Sequence, residues 1–511
     1  MIKSEALIFL VNSMTKPEKK AFRIFANRVD STPGYLTLFN IISNNRNINS
    51  ESLKNEFLSL NKDAAFDTTV KYLYKILLNI LLDLRKEQDS FYNLFDMIMK
   101  ARILFEKSLF EECFNLLDHI KDISIKFENY YALLLASRLE LEYLLALNFP
   151  RVDEKNVLNK HFRINEILNL IRKINEQSSL YELLKYRIEY FGNVRSQEQK
   201  LNLNDLVMSE MSIVASSNVE SFEIEKLHQL FQANYLISVG DFKSALRSYM
   251  ELNTLFEKNK HLWDNPPVYY LHNLEGVLNS LRSIRNYEGM KYFIDQLRKL
   301  KSSSVNFNTN VTCLIFIYEI IPMIDQGEFA LALTHLENHM EILIEKMHLL
   351  GLTRQAELSL YASLIYFGAK DFRKSHKFIN KIILKGKNYY YLPLYRTIRL
   401  VNLMILNELK EFNVISHETR SIRREMKEYD KGYQIEKAML SFVNKQDLPV
   451  TNRKRELLWE KTEKEIEKFR HDIFEQQVLK IFDFTAWIES RIRKRSLSEV
   501  LKGKVSTPEI D

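Results

Sequence analysis

The sequence predicts an all-α fold, an α-α superhelix (solenoid) of antiparallel helical hairpins, and three observations lead there. Glycine occurs 11 times and proline 9 times in 511 residues, so the chain lacks the punctuation that tight β-hairpins and sandwiches need, and long helices with short polar connections are favoured. Hydrophobic residues make up 46%, enough to bury a substantial core in several domains or in one extended repeat array. The third observation is a helical-turn signature that returns at near-constant spacing through the middle of the chain. Charged residues are 27%, with Lys and Arg exceeding Asp and Glu by seven. Over so long a chain, that excess lends little support to a nucleic-acid partner.

Residues 1–94 have a character of their own and read as an N-terminal helical cap or docking module. Helical patterning covers Glu5–Asn12, a second helix opening at Thr15, then Tyr35–Ile42, Ser52–Leu60 and Thr68–Arg85. Thr15 stands three positions before Glu18, the spacing of a capping box in which the hydroxyl takes a first-turn amide and the acid reaches back to the cap amide. Five short helices could also form a DNA-binding bundle, but Lys16, Lys19, Lys20, Arg23 and Arg28 make only a modest basic region.

Residues 95–430 carry the repeat. Phe110, Phe242, Tyr287, Phe329, Phe372 and Phe412 each follow a polar turn, and three positions later stand Cys113, Ala245, Met290, Ala332, Ser375 and Ile415. Four positions further lie Leu117, Tyr249, Ile294, Leu336, Ile379 and Thr419. Residues three and four apart share one side of a helix, so these offsets fit a helix entry and its inner face. From 242 onwards the aromatic positions recur at 45, 42, 43 and 40 residues, which gives at least five repeats. The 132 residues between Phe110 and Phe242 equal about three more such units, so seven or eight are expected in all. One hairpin alone would leave an apolar flank exposed, and stacking the next against it builds a continuous core.

The run Gly240-Asp241-Phe242-Lys243-Ser244-Ala245-Leu246-Arg247-Ser248-Tyr249 resembles the turn and second-helix opening of a tetratricopeptide repeat. The resemblance implies that Gly240 relieves the turn, Phe242 packs between helices, Ala245 permits their close approach and Tyr249 fills the neighbouring interface. Gly327, Phe329, Ala332 and Leu336 carry the same pattern. The chain departs from it at Cys113, Met290, Ser375 and Ile415, which replace the small alanine, and the small residue of the first helix survives mainly as Ala101, Ala233 and Ser363. The period also exceeds the family's usual ~34 residues, which implies lengthened helices or loops. Members of that family are scaffolds with many unrelated partners.

Breaks interrupt the array at Phe149–Glu154, at Asn193–Asn204 and at Asn259–Pro267, where Pro266 and Pro267 exclude a helix interior. Trp263 in the last of these either packs over the adjacent hairpin or anchors a partner. Residues 431–495 read as C-terminal capping helices, with Asn452–Arg495 forming one or two long ones. Trp459, Ile466, Phe469, Ile473 and Phe474, continued by Ile481, Phe484 and Ile488, supply a stripe that closes the solenoid, pairs with a second copy or lies across a partner. Residues 496–511 read as a flexible basic tail behind the dense tract Arg491–Arg495.

The search for chemistry points away from an enzyme. No glycine cluster of the phosphate-cradling kind precedes a helix. His335 and His339 share a helical face but lack a third ligand in sight and read as a polar pair, while His376, His417, Glu418 and Arg420 form no nucleophile-base set. No catalytic, cofactor-binding or metal-binding residue is therefore expected. Cys113 and Cys313 lie too far apart for a compact metal motif and read as structural thiols of a reducing compartment. The apolar run Ala6–Val11 is too short for a secretory core, and Leu73–Leu84, interrupted by Lys75, Asn79 and Asp83, reads as amphipathic and not membrane-spanning.

These readings converge on a cytoplasmic protein-interaction scaffold or adaptor whose inner face receives a protein or peptide. First-helix residues Asn234, Ser238, His272, Asn273, Tyr318, Tyr361 and Tyr366 are the expected contacts, since asparagine binds peptide backbone and tyrosine joins apolar area to a hydroxyl. The alternative is a nucleic-acid-associated regulator that uses the N-terminal helices or the C-terminal basic tract. Pairing with a second copy is compatible with either.

Overall fold

A computed structural model describes residues 4–27, 34–45, 48–61, 64–215, 221–386, 389–428, 433–445 and 448–506. Among the described residues there are twenty-six α-helices and no strand, so the all-α class inferred from scarce glycine and proline holds. The chain divides into two compact units, Met1–Arg172 with Ser303–Val305, and Lys173–Ser302 with Asn306–Asp511.

The first unit opens with α1 (Ser4–Ser13), α2 (Lys16–Ala26), α3 (Gly34–Asn44), α4 (Ser50–Leu60) and α5 (Phe66–Lys86), within a few residues of the expected positions. They close on a core of their own that includes Leu7, Phe22, Phe39, Phe57 and Leu73. The capping box forms as read: the Glu18 amide donates to Thr15 Oγ1 (3.4 Å) and the Thr15 amide to Glu18 Oε2 (2.7 Å). Glu18 also takes Arg85 Nη2 at 3.2 Å, tying α5 to α2. Arg28, counted above with the basic region, lies outside the described residues.

Next come α6 (Ser90–Glu106), α7 (Phe110–Lys126) and α8 (Tyr130–Ala146), packed on a separate core of Leu94, Ala101, Cys113, Leu117 and Ala136. The core therefore changes between Leu81 and Leu94, whereas the compact unit runs on to Arg172. α9 (Glu154–Phe191) is a single helix of 38 residues, and α10 (Gln197–Leu201) and α11 (Asn204–Ala215) follow it. The stretch between Phe110 and Phe242 therefore does not hold three helix pairs of ordinary length. Few glycines or prolines interrupt it, and one long helix takes the place of a pair and its turn.

In the second unit the remaining helices come mostly as pairs: α12 (Phe222–Ser238) with α13 (Phe242–Lys258), α14 (Val268–Ser283) with α15 (Tyr287–Lys299) and α16 (Val305–Asp325) with α17 (Phe329–Glu345). α18 (Leu352–Gly368) with α19 (Phe372–Leu384) and α20 (Pro393–Glu408) with α21 (Phe412–Glu428) continue the series. One core runs through them. α16 is long and apolar enough to cross a membrane by length and composition, yet 61% of its apolar window is buried inside the fold.

The repeated signature now has a physical basis. At all six sites the second helix begins on the aromatic residue itself, and the residue two positions earlier has a positive φ: Ser108 (63°), Gly240 (84°), Arg285 (56°), Gly327 (72°), Lys370 (65°) and Lys410 (62°). The next amide reaches back five residues, as from Leu109 to Leu104 O and from Asp241 to Leu236 O, the closure that ends a helix through one left-handed residue. Asp241, Asn286 and Asp371 then cap the second helix through Oδ1. The positions three and seven beyond the aromatic residue are buried in all six. At two of the four sites where alanine is replaced, the helices still approach closely through small polar groups: Cys113 Sγ donates to Ala101 O (3.2 Å) and Ser375 Oγ to Ser363 O (2.8 Å).

The C-terminal region is more broken than expected. It forms α22 (Gln434–Val443), α23 (Asn452–Arg470), α24 (Ile473–Leu479), α25 (Phe484–Arg493) and α26 (Leu497–Ser506). Asp472 and Asp483 cap new helices where one or two long ones were anticipated. Trp459, Ile466, Phe469, Phe484 and Ile488 enter the core, Phe474 and Ile481 pack partly against it, and Ile473 is exposed. The segment read as a flexible tail is helical over Leu497–Ser506, with Val500 and Leu501 buried and Ser498 Oγ donating to Gly327 O at 2.6 Å. Residues 507–511 lie outside the described residues. Of the basic tract, Arg491 pairs with Glu408 (3.1 Å) and Arg493 with Glu456 (3.1 Å) and Glu489 (3.0 Å).

Candidate functional site

The second unit holds a half-open cavity of about 460 Å³, within the size range of pockets that hold small molecules or a few residues of peptide. Eight helices reach it. α9 supplies Tyr181, Lys185 and Glu189; α12 supplies Asn234 and Ile237; α13 supplies Tyr249; α14 supplies His272, Glu275 and Asn279. α18 adds Thr353, Arg354 and Glu357, α20 adds Thr397, and α22 adds Glu436 beside Tyr433 at its amino end. Arg195 comes from the connection after α9, and Gln477 and Lys480 from α24 and its end.

The lining carboxylates are all engaged. Arg354 spans Glu275 (2.6 Å) and Glu357 (2.5 Å). Burial works against the Glu275 carboxylate, yet the charge and hydrogen bond of Arg354 outweigh it and hold Glu275 below its ordinary value. For Glu357 burial wins, and its carboxyl is raised although Arg354 is shared with it. Glu189 accepts from Thr353 Oγ1 (2.9 Å), and Glu436 from the Tyr433 amide (3.0 Å) and Arg396 (3.5 Å). Burial nonetheless raises Glu436.

The cations are compensated unevenly. Among the described residues Lys185 bonds only the Asn234 amide oxygen, at 3.4 Å. Arg195 stacks over the Tyr433 ring at 5.0 Å, and its Nε has no acceptor. Lys480 lies 4.5 Å from the centre of the Phe242 ring and, among the described residues, meets no carboxylate. Burial, with Arg282 nearby, brings Lys480 down to about 7 from 10.5. His272 is lowered as well, chiefly by burial.

The expected contact residues divide into two groups. Asn234 and His272 line the cavity. Tyr318 and Tyr361 stand behind it: the Tyr318 hydroxyl donates to Glu275 O (3.3 Å), and the Tyr361 hydroxyl accepts from Arg282 Nη1 (2.5 Å). Asn273 is buried and donates to Asn253 Oδ1 (3.2 Å), Ser238 is buried with its hydroxyl on Tyr235 O (2.7 Å), and Tyr366 stacks on Phe378. Sequence reasoning missed the charged lining altogether. Glu275 and Arg354 are 79 positions apart, and no local spacing announces them.

Other candidate chemistry is quieter. Cys113 and Cys313 are buried and free, and burial pushes the Cys313 thiol up to about 12. His335 pairs with Glu319 (2.9 Å) and His339 sits on His335 O (3.0 Å). Among the described residues no group of three or more His, Cys, Asp or Glu is placed to hold a metal ion. Trp263 packs on its own hairpin, stacked on Tyr270 with its indole N–H on Phe256 O (2.8 Å). Comparison with family models, curated proteins and solved structures gives no match.

Proposed function

We propose that this protein is an interaction scaffold of the cytoplasm, a superhelix of tetratricopeptide-like hairpins that holds a short polypeptide segment of a partner in the cavity of its second unit. The observation that carries the reading is the convergence of α9 with α12, α14, α18 and α20, the opening helices of four pairs, on one cavity. They present tyrosine, asparagine and threonine beside arginine-bound carboxylates. Such a lining suits a main chain that needs both donors and acceptors, with apolar area between them. Carboxylates already held in ion pairs favour holding a ligand over transferring its protons. Two buried free thiols fit a reducing compartment.

The nucleic-acid reading draws less support, because Arg491 and Arg493 of the densest basic tract are tied to Glu408, Glu456 and Glu489. A phosphate backbone would have to compete with those carboxylates.

The test is quantitative affinity capture from source cells, with nuclease-treated and high-salt samples, using the native protein and Asn279→Trp, which fills the cavity with an indole. A stoichiometric protein that survives nuclease and is lost with Asn279→Trp, at unchanged melting temperature, is expected. Capture that ignores the indole, or that disappears with nuclease, refutes the assignment.

A further inference from the structure

The cavity is chemically lopsided. Around Arg354, cations and carboxylates match: Glu275 and Glu357 share that guanidinium, with Lys185 and His272 close by. Beside α24, among the described residues, the lining cations Arg195 and Lys480 form no ion pair. Gln477, which is 3% exposed, donates from Nε2 to Val194 O and to Ser238 O, both at 3.2 Å. These two bonds bring Arg195, the residue after Val194, beside α24, and Lys480 follows one turn after Gln477. Arg282, whose charge also acts on Lys480, bonds Tyr361 and Ile481 O and has Asp325 as its nearby carboxylate. Of the lining carboxylates, Glu436 feels the charge of Arg195, and Arg396 already holds it.

An uncompensated cation in a half-buried site costs stability. Two buried lining atoms lack a hydrogen-bond partner, Arg195 Nε and Gln477 Oε1, and among the described residues Lys480 has only an aromatic face. We propose that this end of the cavity is an oxyanion site, in which Lys480 and Arg195 receive the carboxylate or phosphate group of the ligand. The inference rests on the reading of the cavity as a binding site and names the chemistry of what enters it. A peptide's last residue suits the site well. Its carboxylate would meet the two cations, while its amide N–H would satisfy Gln477 Oε1, which neither a bare anion nor a C-terminal amide could do together. The depressed Lys480 ammonium agrees with this, since an arriving anion restores the charge that burial disfavours.

The experiment follows acetylation of Lys480 in the full chain by mass spectrometry, with trialanine, trialanine amide and inorganic phosphate as probes. Binding of the same probes to the native protein, Lys480→Met and Arg195→Met is measured by calorimetry. Trialanine should slow Lys480 acetylation and lose about tenfold in affinity with either variant, as expected for a charge-assisted contact, and its amide should protect far less. Protection by phosphate but not by trialanine keeps the oxyanion site and sinks the peptide reading of the cavity. Equal protection by acid and amide, or none from either anion, overturns the proposal, and this comparison needs no variant to fold.

Discussion

Lys480 offers a test of the cavity's electrostatics that requires no ligand. In the folded chain its ammonium titrates near 7, against 10.5 when solvated, because burial removes water and Arg282 lies close by. Between those values the unfolded chain keeps a proton that the folded chain has released. Stability therefore rises with pH through the window from about 7 to 10.5, and below 7, where both states are charged, the penalty is constant. Each pH unit inside the window is worth about 1.4 kcal/mol, and the whole interval at most about 5 kcal/mol. Lys480→Met keeps the length of the side chain and removes the charge, giving up an aromatic contact worth about 1 kcal/mol. The variant should be the more stable protein at pH 7, and its advantage should shrink by about 2 kcal/mol between pH 7 and pH 9. The three tryptophans, Trp263, Trp459 and Trp487, all belong to the second unit, so urea unfolding followed by their fluorescence reports on the relevant part of the chain. Burial keeps the cavity phenols Tyr181 and Tyr249 raised and silent over this range. Parallel stability curves for the two proteins, or a Met variant less stable at pH 7, would refute a desolvated amine.

Three further predictions test the fold and the charge network. Lys370 and Lys410 stand at φ of 65° and 62°, and glycine at either position should raise the melting free energy by about 0.5–1 kcal/mol, the left-handed penalty less glycine's extra entropy; no gain in thermal melts would show that the surroundings already favour the turn. Gly240 combines a φ of 84° with a neighbour, Ile473, whose Cγ2 a β-carbon would strike, so Gly240→Ala should cost about 2–3 kcal/mol. Ile473→Ala should recover part of that cost in a double-mutant cycle, and strict additivity would place the strain elsewhere. Arg354→Met leaves Glu275 and Glu357 facing one another without their cation, a loss of about 2–3 kcal/mol at neutral pH given their partial solvation. The loss should narrow below about pH 5 as the orphaned carboxylates take up protons, and a pH-independent difference would speak against the pair.

Much of the architecture is local and could be read before any coordinates. The six aromatic residues mark helix starts because a left-handed residue and a cap lie just before them, and such turns are written in consecutive residues. The same rule that located α2 from Thr15 and Glu18 also applies to Ser496 and Glu499. There the Ser496 amide donates to Glu499 Oε2 (2.9 Å) and the Glu499 amide to Ser496 Oγ (3.2 Å). A capping box thus stood inside the stretch read as a free tail, where the surrounding basic charge outweighed it. Asp472 and Asp483 are likewise visible caps inside a segment read as one or two long helices. α9 escaped for the opposite reason. Its 38 residues carry almost no preference for one face, so periodicity gives neither its length nor its lack of a break. The cavity is beyond such reading, because its lining runs from Tyr181 to Ile481 and depends on which helices come to face one another.

Helix polarity accounts for part of how the cavity's charges are arranged. Glu357 and Glu436 lie within the first two turns of α18 and α22, where the exposed amides favour an acid, and Lys185 and Lys480 lie near the carboxyl ends of α9 and α24, where exposed carbonyls favour a cation. The acids have a second source of compensation in Arg354 and Arg396. The lysines have none of comparable strength, and α24, with only seven residues, has a weak end to offer. A helix-end effect of about 0.3–1 kcal/mol is well short of the cost implied by a lysine held near 7. The remainder has to be met by an anion from outside the chain or carried as lost stability, and the pH dependence of Lys480→Met separates those two outcomes when measured with and without trialanine. A slope that flattens with the tripeptide bound means that the ligand restores the proton, whereas an unchanged slope means that the fold carries the deficit alone.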